Sequence, residues 1–230
     1  MNIGRAHTGG VTTRAYRSPL RRRRAEDTRA TVLAAATRLF SERGWAGTGI
    51  RDVAREAGVS VETVYAAVGT KATLLEQALD VAIVGDDEPV ALPERPEFAA
   101  LADGDLAARV EAAARLNAAT HARTAGLLRA LREGAGREPA LAARLTGARD
   151  GNRATLIAGA ALVAGRPLGA DEGDGIWAVL SPEVFELLTG SAGWSTERYR
   201  RWLADTLVRL LTDDDCSDTT GRTDDTRGQG

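Results

Sequence analysis

Residues 49–68 combine hydroxyl, carboxylate and aromatic side chains in a pattern that could contact DNA. The segment reads GIRDVAREAGVSVETVYAAV, two helix-length runs separated by a turn at Gly58. Gly58 suits a turn with positive φ, and Ser60 is a good N-cap for the second run. A helix-turn-helix of this kind places the N-terminal end of its second helix in the major groove. The same pattern also fits an ordinary αα-hairpin, so both interpretations remain open at this point.

Basic residues are concentrated before and within this segment. Residues 1–71 carry 13 Arg or Lys and 6 Asp or Glu, a net charge of +7, whereas the whole 230-residue chain has a formal net charge of -2. Lys71 is the only lysine. A basic module joined to an acidic one is typical of a DNA-contacting head. The arginine run from Arg21 to Arg24 is equally consistent with a solubilising arm.

Several function classes lack the residues that they need. The chain has one cysteine, Cys216, and two histidines, which excludes a Cys/His zinc site, and we expect no metal and no cofactor. Gly-x-Ser-x-Gly, Gly-x-x-x-x-Gly-Lys and His-Glu-x-x-His are absent, so we expect no catalytic residues and no enzyme. The sequence shows neither a signal peptide nor an apolar run long enough to span a membrane. It predicts a cytoplasmic globular protein without a membrane partner.

Helical periodicity runs through most of the chain, and alternating strand-like runs are missing, so the predicted fold class is all-α. We predict a flexible Arg-rich arm over 1–25, a helix-turn-helix domain over 26–86, a helical domain over 97–212 and a disordered acidic tail over 213–230. Within the helical domain the periodicity predicts helices over roughly 103–120, 121–134, 138–164, 172–189 and 195–212.

The stretch from Arg21 to Leu79 closely resembles the N-terminal domain of the TetR family of transcriptional regulators. The matching residues are Thr28, Arg29, Ala35, Ala36, Phe40, Gly44, Trp45, Thr48, Asp52, Val53, Ala54, Ala57, Gly58, Val59, Ser60, Thr63, Val64, Tyr65, Lys71 and Leu74. The resemblance implies an N-terminal three-helix helix-turn-helix DNA-binding domain followed by an all-helical effector-binding and dimerisation domain. It favours a repressor over an activator.

The resemblance also implies a DNA-binding set. Thr48, Tyr65 and Lys71 match positions that contact phosphates. Ser60, Val61, Glu62, Thr63 and Ala66 match the groove-facing part of the recognition helix. The candidates that complete the set are Arg22, Arg23, Arg24, Gly49 and Arg51. The chain departs from the family pattern at Gly49, which lacks a common hydroxyl, and at Ala67 and Val68, where aromatic or histidine side chains are frequent.

The recognition helix contains few side chains that read bases. Glu62 could accept from a cytosine amino group, and Val61 or Ala66 could meet thymine methyls. Glu62 could equally favour the helix dipole or pair with a nearby arginine. We therefore hypothesise that the arginine arm supplies much of the affinity, through the minor groove.

Two further sets belong to the C-terminal half. Polar interruptions in apolar helices, together with one tryptophan, indicate a pocket for a small, largely apolar effector; the candidates are Asn117, Thr120, His121, Thr124 and Trp177. The resemblance implies a homodimer through the last helices, with the candidates Phe185, Leu188, Tyr199, Trp202, Leu203, Leu207 and Leu210. Any of these seven residues could instead belong to the core of a single chain.

The sequence thus predicts a regulator that binds double-stranded DNA at a palindromic operator as a homodimer and answers to a small molecule. Two alternatives remain. The chain could bind DNA without sequence preference, or it could be a small-molecule-binding module with a weak helix-turn-helix.

Overall fold

The computed structural model describes residues 19–86 and 90–212, and this part of the chain contains ten α-helices and no strand, which confirms the all-α prediction. The helices are α1 (Pro19–Arg43), α2 (Ile50–Ala57), α3 (Val61–Val68), α4 (Lys71–Val84), α5 (Pro96–Ala99), α6 (Leu106–Ala135), α7 (Pro139–Ala164), α8 (Ala170–Val179), α9 (Pro182–Glu186) and α10 (Thr196–Thr212). Residues 1–18 of the predicted arm and the predicted tail over 213–230 lie outside the described residues. Residues 19–25, which the prediction placed in the flexible arm, belong to α1.

Glycines with positive φ end the first helices, including the turn predicted at Gly58. Gly58, Gly69 and Gly85 follow α2, α3 and α4 with φ of 66°, 86° and 98°. L-residues with side chains avoid this left-handed region, whereas glycine enters it without a steric penalty. Gly44 follows α1 in the same way, with φ of 69°, so a glycine of this kind stands at the end of each of the four helices α1–α4.

Three of the predicted helices in the C-terminal half differ from the structure. The predicted helices 103–120 and 121–134 are one continuous helix, α6, because no proline or glycine interrupts the chain between Leu106 and Ala125. The predicted helix 172–189 is divided into α8 and α9. Pro182 occupies the first position of α9, and the Ser181 side chain caps that helix by accepting from the Val184 N–H at 3.3 Å.

Helix α6 belongs to both hydrophobic cores of the chain. Its C-terminal half, with Leu127 and Leu131, is buried with α1–α4. Its N-terminal half, with Val110, Ala114 and Ala118, is buried with α7, α8, α9 and α10. The N-terminal domain is therefore completed by a helix that begins in the C-terminal domain. No helix within 19–86 or 90–212 is long and apolar enough to cross a bilayer.

The backbones of α1 and α6 come close together where the two helices cross. A Cβ placed on Gly126 would lie 2.6 Å from the Ser41 Cβ and 2.7 Å from its Cα. Real Cβ atoms do not approach a backbone atom so closely, so only glycine allows this crossing. The absence of a side chain at one position of α6 thus sets the distance between the domains.

We expect Gly126→Ala to lower the free energy of unfolding by about 1–3 kcal/mol, since α1 must move to admit the methyl group. Gly151→Ala is the matched control, because Gly151 lies inside α7 and a Cβ there meets nothing within 4 Å. Because alanine has a higher helix propensity than glycine, Gly151→Ala should raise the free energy of unfolding by up to about 1 kcal/mol. Urea denaturation of both variants measures the difference. Equal effects of the two substitutions would contradict the close crossing.

Candidate nucleic-acid interface

Helices α2 and α3 form the helix-turn-helix. The turn closes with the Val59 N–H donating to the Ala54 carbonyl at 3.0 Å, one residue after Gly58. Val53 of α2 and Val64 of α3 are completely buried between these helices and α1. The angle between the two helices is therefore fixed by a hydrogen-bonded glycine turn and by valine packing.

The N-terminal end of α3 is capped by its own hydroxyl groups. The Ser60 Oγ accepts from the Thr63 N–H at 3.2 Å and lies 3.0 Å from the Thr63 hydroxyl. Both side chains were predicted to face the groove. The structure shows that they also stabilise the first turn of the recognition helix.

The exposed face of α3 consists of Glu62, Tyr65 and Ala66, which are spaced i, i+3 and i+4. Tyr65 is 53% exposed, a large value for an aromatic residue. The pKa of Glu62 lies below its usual value because its own backbone N–H and the Ser60 hydroxyl stabilise the carboxylate. Glu62 is therefore an ionised hydrogen-bond acceptor at neutral pH, and Val61 and Thr63 flank it partly buried.

Thr48, which was predicted to contact a phosphate, is buried in the structure. Its side chain is 1% exposed, and its hydroxyl donates to the Leu39 carbonyl at 3.1 Å. A group that is buried and bonded in this way ties the α1–α2 loop to α1. The sequence could not reveal this, because the acceptor is a main-chain oxygen on another helix.

Lys71, at the start of α4, is held against the same loop. Its Nζ donates to the Trp45 carbonyl at 2.6 Å and lies 4.0 Å from the centroid of the indole ring. Burial lowers the pKa of Lys71, while the charges of Glu133 and Glu138 oppose that shift. The predicted phosphate ligand is thus partly buried and engaged with the protein.

Glu133 of α6 holds the other side of this loop. Its carboxylate accepts from the Trp45 N–H at 2.7 Å and from the Ala46 N–H at 3.1 Å. Gly44 makes room for it, since a Cβ there would lie 2.6 Å from a Glu133 oxygen and φ is 69°. Trp45 is consequently bonded through its N–H to α6 and through its carbonyl to α4. We call Glu133, Trp45 and Lys71 the loop clamp.

The arginine candidates lie at the surface. Arg22, Arg23 and Arg24 are exposed in the first turns of α1, and Arg22 lies 3.6 Å from Glu26. Arg51 is exposed on α2. Gly49 is the N-cap of α2, and its N–H donates to the Asp52 carboxylate at 3.1 Å. All four arginines are accessible to a polyanion, whereas the Gly49 N–H is already bonded.

Two connections within the chain were missed by the sequence analysis. Arg29 donates to the Gln77 side chain at 3.0 Å, and Gln77 donates to the Val68 carbonyl at 3.4 Å, which joins α1 and α4 to the end of α3. Arg123 of α6 donates to the Ala82 and Ile83 carbonyls at 2.8 and 3.2 Å and so caps α4. No local sequence pattern indicates either connection, because every pair is more than eight residues apart.

The effector candidates separate into two places. Asn117, Thr120 and His121 line a mainly apolar cavity of about 100 Å³ between α6 and α7. Trp177 instead lines a neighbouring open groove, which shares Asn152 with the cavity. Thr124 is not among the residues that line the cavity, and its buried hydroxyl donates to the Thr120 carbonyl at 2.9 Å. Trp177 and Thr124 therefore lie apart from the cavity that the other three candidates line.

Most of the predicted dimer contacts are core residues of the single chain. Phe185, Tyr199, Leu203 and Leu207 are each 5% exposed or less and lie in the second core. Leu188 and Trp202 are partly buried against that core, and only Leu210 is exposed. The sequence pattern could not separate the two faces, since core and interface both require apolar residues at helical spacing. Leu187 and Val208 are further exposed apolar side chains in this region.

No group of three or more His, Cys, Asp or Glu side chains is arranged to hold a metal ion in the described ranges. The titratable side chains around the helix-turn-helix serve as caps and ion pairs, such as Asp52 with Arg55 and Glu56 with Arg38. The N-terminal domain as a whole presents the short helix α3, with exposed arginines on α1 and α2, on a core formed by α1, α2, α4 and α6.

Residues 32–78 match the family model described as bacterial regulatory proteins, tetR family. A search among curated proteins gave no significant match. The fold is similar to that of a transcriptional regulator from Rhodococcus sp. Rha1, at 21% identity and a TM-score of 0.57 over 80% of this chain and 96% of that one.

Two other solved structures share the fold. A TetR-family transcriptional regulator from Mesorhizobium loti MAFF303099 has 21% identity and a TM-score of 0.57, covering 82% of this chain and 96% of its own. The multidrug binding protein EbrR complexed with imidazole has 20% identity and a TM-score of 0.50, covering 84% and 90%. At these identities the likeness concerns the fold.

We expect Thr48→Val and Tyr65→Phe to have opposite effects. Thr48→Val removes a buried hydroxyl and should lower the free energy of unfolding by about 1 kcal/mol, while the affinity for DNA is unchanged. Tyr65→Phe removes an exposed hydroxyl and should leave stability unchanged, while the affinity for DNA falls roughly 2- to 10-fold. Chemical denaturation and DNA titration at one salt concentration measure the two quantities. A folded Thr48→Val variant that loses as much affinity as Tyr65→Phe would restore the phosphate role of Thr48.

We expect Glu133→Gln to loosen the α1–α2 loop. A carboxamide offers one oxygen in place of two, and its NH2 group faces an N–H donor, so the free energy of unfolding should fall by about 1 kcal/mol. Amide hydrogen exchange at Trp45 and Ala46 should become faster. Glu42→Gln is the control, since Glu42 is an exposed acid near the same loop. Unchanged exchange at both amides in the Glu133 variant would show that the carboxylate does not hold them.

Proposed function

We propose that this chain, a TetR-family transcriptional regulator whose N-terminal domain matches the family, is a homodimeric repressor that leaves a palindromic operator when a small molecule binds its C-terminal domain. The observation that carries the proposal is the exposed face of α3, Glu62, Tyr65 and Ala66, on a helix-turn-helix that α6 connects to the cavity. DNA recognition by the helix-turn-helix is common to the family. The roles of dimer, repressor and effector response are the parts that need testing.

Affinity and specificity come from different residues in this proposal. The exposed arginines at 22–24 and Arg51 contact phosphates, which supply salt-dependent affinity without sequence information. Glu62 supplies the reading of bases, because an ionised carboxylate accepts from the cytosine amino group in the major groove. Lys71 joins the phosphate contacts only if DNA draws its ammonium away from the Trp45 carbonyl.

The homodimer follows from the geometry of DNA. Two recognition helices can read half-sites one helical turn apart, about 34–36 Å, only when two DNA-binding domains are held together in a dimer. Exposed apolar side chains in the C-terminal half support such a dimer interface: Leu187 is 61% exposed, Val208 38% and Leu210 36%. This smaller set replaces the predicted interface, most of which lies in the chain's own core.

The effector site is the cavity between α6 and α7. It is lined by apolar residues with a few polar groups, an arrangement that suits a small and largely uncharged molecule. The structurally similar EbrR was solved with imidazole, a compact ring, which supports a ligand of small size. Binding at the cavity acts on the heads through α6, whose C-terminal half carries Glu133 and Arg123.

A second candidate is DNA binding without sequence preference. The exposed face of α3 has few hydrogen-bond donors, which favours this candidate. Of its three side chains only the Tyr65 hydroxyl can donate, and Glu62 only accepts. In that case the arginines would provide all of the affinity. Sequence preference, and not salt dependence, separates the two candidates, because phosphate contacts dominate both.

We expect selection of random genomic fragments by the full-length protein at moderate salt to enrich a palindrome with half-sites about one turn apart, bound by two chains. Glu62→Gln should move the preference at one symmetric position from cytosine towards adenine, because glutamine pairs with adenine N6 and N7. Discrimination at that position is about 1–3 kcal/mol. Sequencing of the bound fragments and mass measurement of the complex test both points.

Glu97→Gln is the matched control for the loss of one negative charge, since Glu97 is exposed on α5 away from the helix-turn-helix. It should leave the selected sequence unchanged. Uniform recovery of fragments that collapses with salt would reject the operator and leave the second candidate. An unchanged motif in the Glu62 variant would remove Glu62 from the reading set.

A further inference from the structure

Helix α1 extends beyond the core of the N-terminal domain. Its first buried residue is Val32, whereas every residue from 20 to 27 is exposed. At about 1.5 Å per residue these eight positions form a projecting length of roughly 12 Å, which we call the α1 extension. The arm that was hypothesised to enter the minor groove is thus helical over these residues. A helix is about 10–12 Å wide and the minor groove about 6 Å, so the helix itself stays outside that groove.

Three of the four arginines of the α1 extension share one face. At about 100° per residue they fall within a sector of about 160° that contains no acidic residue of the extension. These arginines, which we call the arginine face, are Arg21, Arg22 and Arg24. Arg23 lies on the opposite side of the helix, with Glu26 and Asp27 three and four positions further along the chain. Positive charge is therefore concentrated on one side of the extension, while Arg23 shares its side with two acids.

The charge of the arginine face is not neutralised within the described residues. Arg21 and Arg24 make no ion pair in 19–86 or 90–212, and Arg22 lies 3.6 Å from Glu26 with 75% of its side chain exposed. An ion pair so open to water contributes little. Arginines of the C-terminal domain are paired with carboxylates, for example Arg132, Arg153 and Arg200. The arginine face is thus an unpartnered helix face whose chemistry suits a polyanion.

The arginine face looks towards the DNA that α3 contacts. It continues the buried side of α1, since Val32 and Leu39 fall within the same sector. Helix α3 packs on that side of α1 through Val64, and the exposed face of α3 lies on the far side of α3 from α1. DNA in contact with that exposed face is therefore on the side of α1 to which the arginine face points. Arg23 points away from it.

The α1 extension begins beside the C-terminal end of α3. Arg29, two turns after Arg22 on α1, donates to Gln77, and Gln77 donates to the carbonyl of Val68, the last residue of α3. Because α3 is only about 12 Å long, a duplex seated on it continues past this end. The arginine face is therefore continuous with the surface that carries the recognition helix.

We infer that the α1 extension binds the phosphate backbone of the DNA that α3 contacts, through the arginine face alone, and that Arg23 takes no part. The inference rests on the DNA-binding part of the proposed function, and not on the dimer, the operator or the effector. It adds Arg21 to the arginines assigned to phosphates and removes Arg23 from them. Phosphate contacts of this kind supply affinity and register without sequence information.

Arg21→Ala and Arg23→Ala are a matched pair, since each removes one exposed positive charge from the same helix. We expect the slope of log K against log salt, measured with the full-length protein and a short duplex of mixed sequence, to become shallower by about 0.9 per bound chain in Arg21→Ala. Arg23→Ala should leave the slope close to that of the wild type. Alanine is a strong helix former and both positions are exposed, so circular dichroism and urea denaturation should show the same fold in both variants. Equal slopes in the two variants would overturn the inference.

A double variant and its rescue test the face as a whole. Arg21→Ala with Arg24→Ala should make the slope shallower by about 1.8 per bound chain, so that between about 50 and 200 mM salt the wild type loses roughly 10-fold more affinity than the variant. Adding Ala25→Arg to this double variant should restore about 0.9 of the slope, because Ala25 lies between the two lost arginines on the same face. A rescue that fails in a folded protein would contradict the assignment of the contact to this face.

The groove in question is tested with two further duplexes. An A-tract has a narrow minor groove whose negative potential attracts inserted arginine side chains, whereas a GC-rich duplex lacks that feature. We expect the double variant to change the slope equally on both duplexes. A change confined to the A-tract would place these side chains in the minor groove and overturn the backbone contact.

These outcomes are separate from those of the operator experiment. If the slopes change as expected and no palindrome is selected, the contact of the α1 extension stands and the operator proposal fails. If a palindrome is selected and Arg21→Ala leaves the slope unchanged, the inference alone fails.

Discussion

The contact between α1 and α6 at Gly126 is the constraint on which the rest of the structure depends. It lets the backbones of the two domains meet directly, so that Leu127 and Leu131 of α6 enter the core of the N-terminal domain. The same helix carries His121 twelve residues before Glu133, a distance of about 18 Å along a helix. Because a helix is stiff over that length, a displacement at the cavity is also a displacement at the loop clamp. The N-terminal domain is thus positioned by the domain that holds the cavity.

Polar groups in the N-terminal domain are used mainly to hold it in shape. Thr48 bonds to α1, Ser60 and Thr63 cap α3, and Lys71 bonds to the Trp45 carbonyl. What remains for DNA is one carboxylate, one phenol and a set of exposed arginines. A protein built in this way gains affinity from phosphates and reads few bases directly. In the proposed dimer, a small change in the spacing of the two DNA-binding domains would weaken many such contacts at once, which would allow an effector to release the operator.

Local sequence signals predicted the helices. Contacts between residues that are far apart in the sequence determine which side chains remain available to bind a partner. The helix-turn-helix could be predicted because Gly58 and Ser60 act on their immediate neighbours. The burial of Thr48 and the clamp at Glu133 could not, since their partners lie 9 and 88 residues away. The apolar stripe of α10 was visible in the sequence, but Tyr199 and Leu203 face the chain's own core, and periodicity does not say which apolar neighbour a helix meets. Pro182 itself indicates a break between α8 and α9. The sequence analysis nevertheless predicted one helix over 172–189, because this run is largely apolar.

His121, which lines the cavity, connects α6 to the joint between α8 and α9. His121 donates through Nε2 to the Leu180 carbonyl, which directly precedes Ser181 and Pro182 at that joint. In the proposed function, a ligand that moves this joint changes the affinity for the operator, and operator binding must change the affinity for the ligand by the same factor, because coupling free energies are reciprocal.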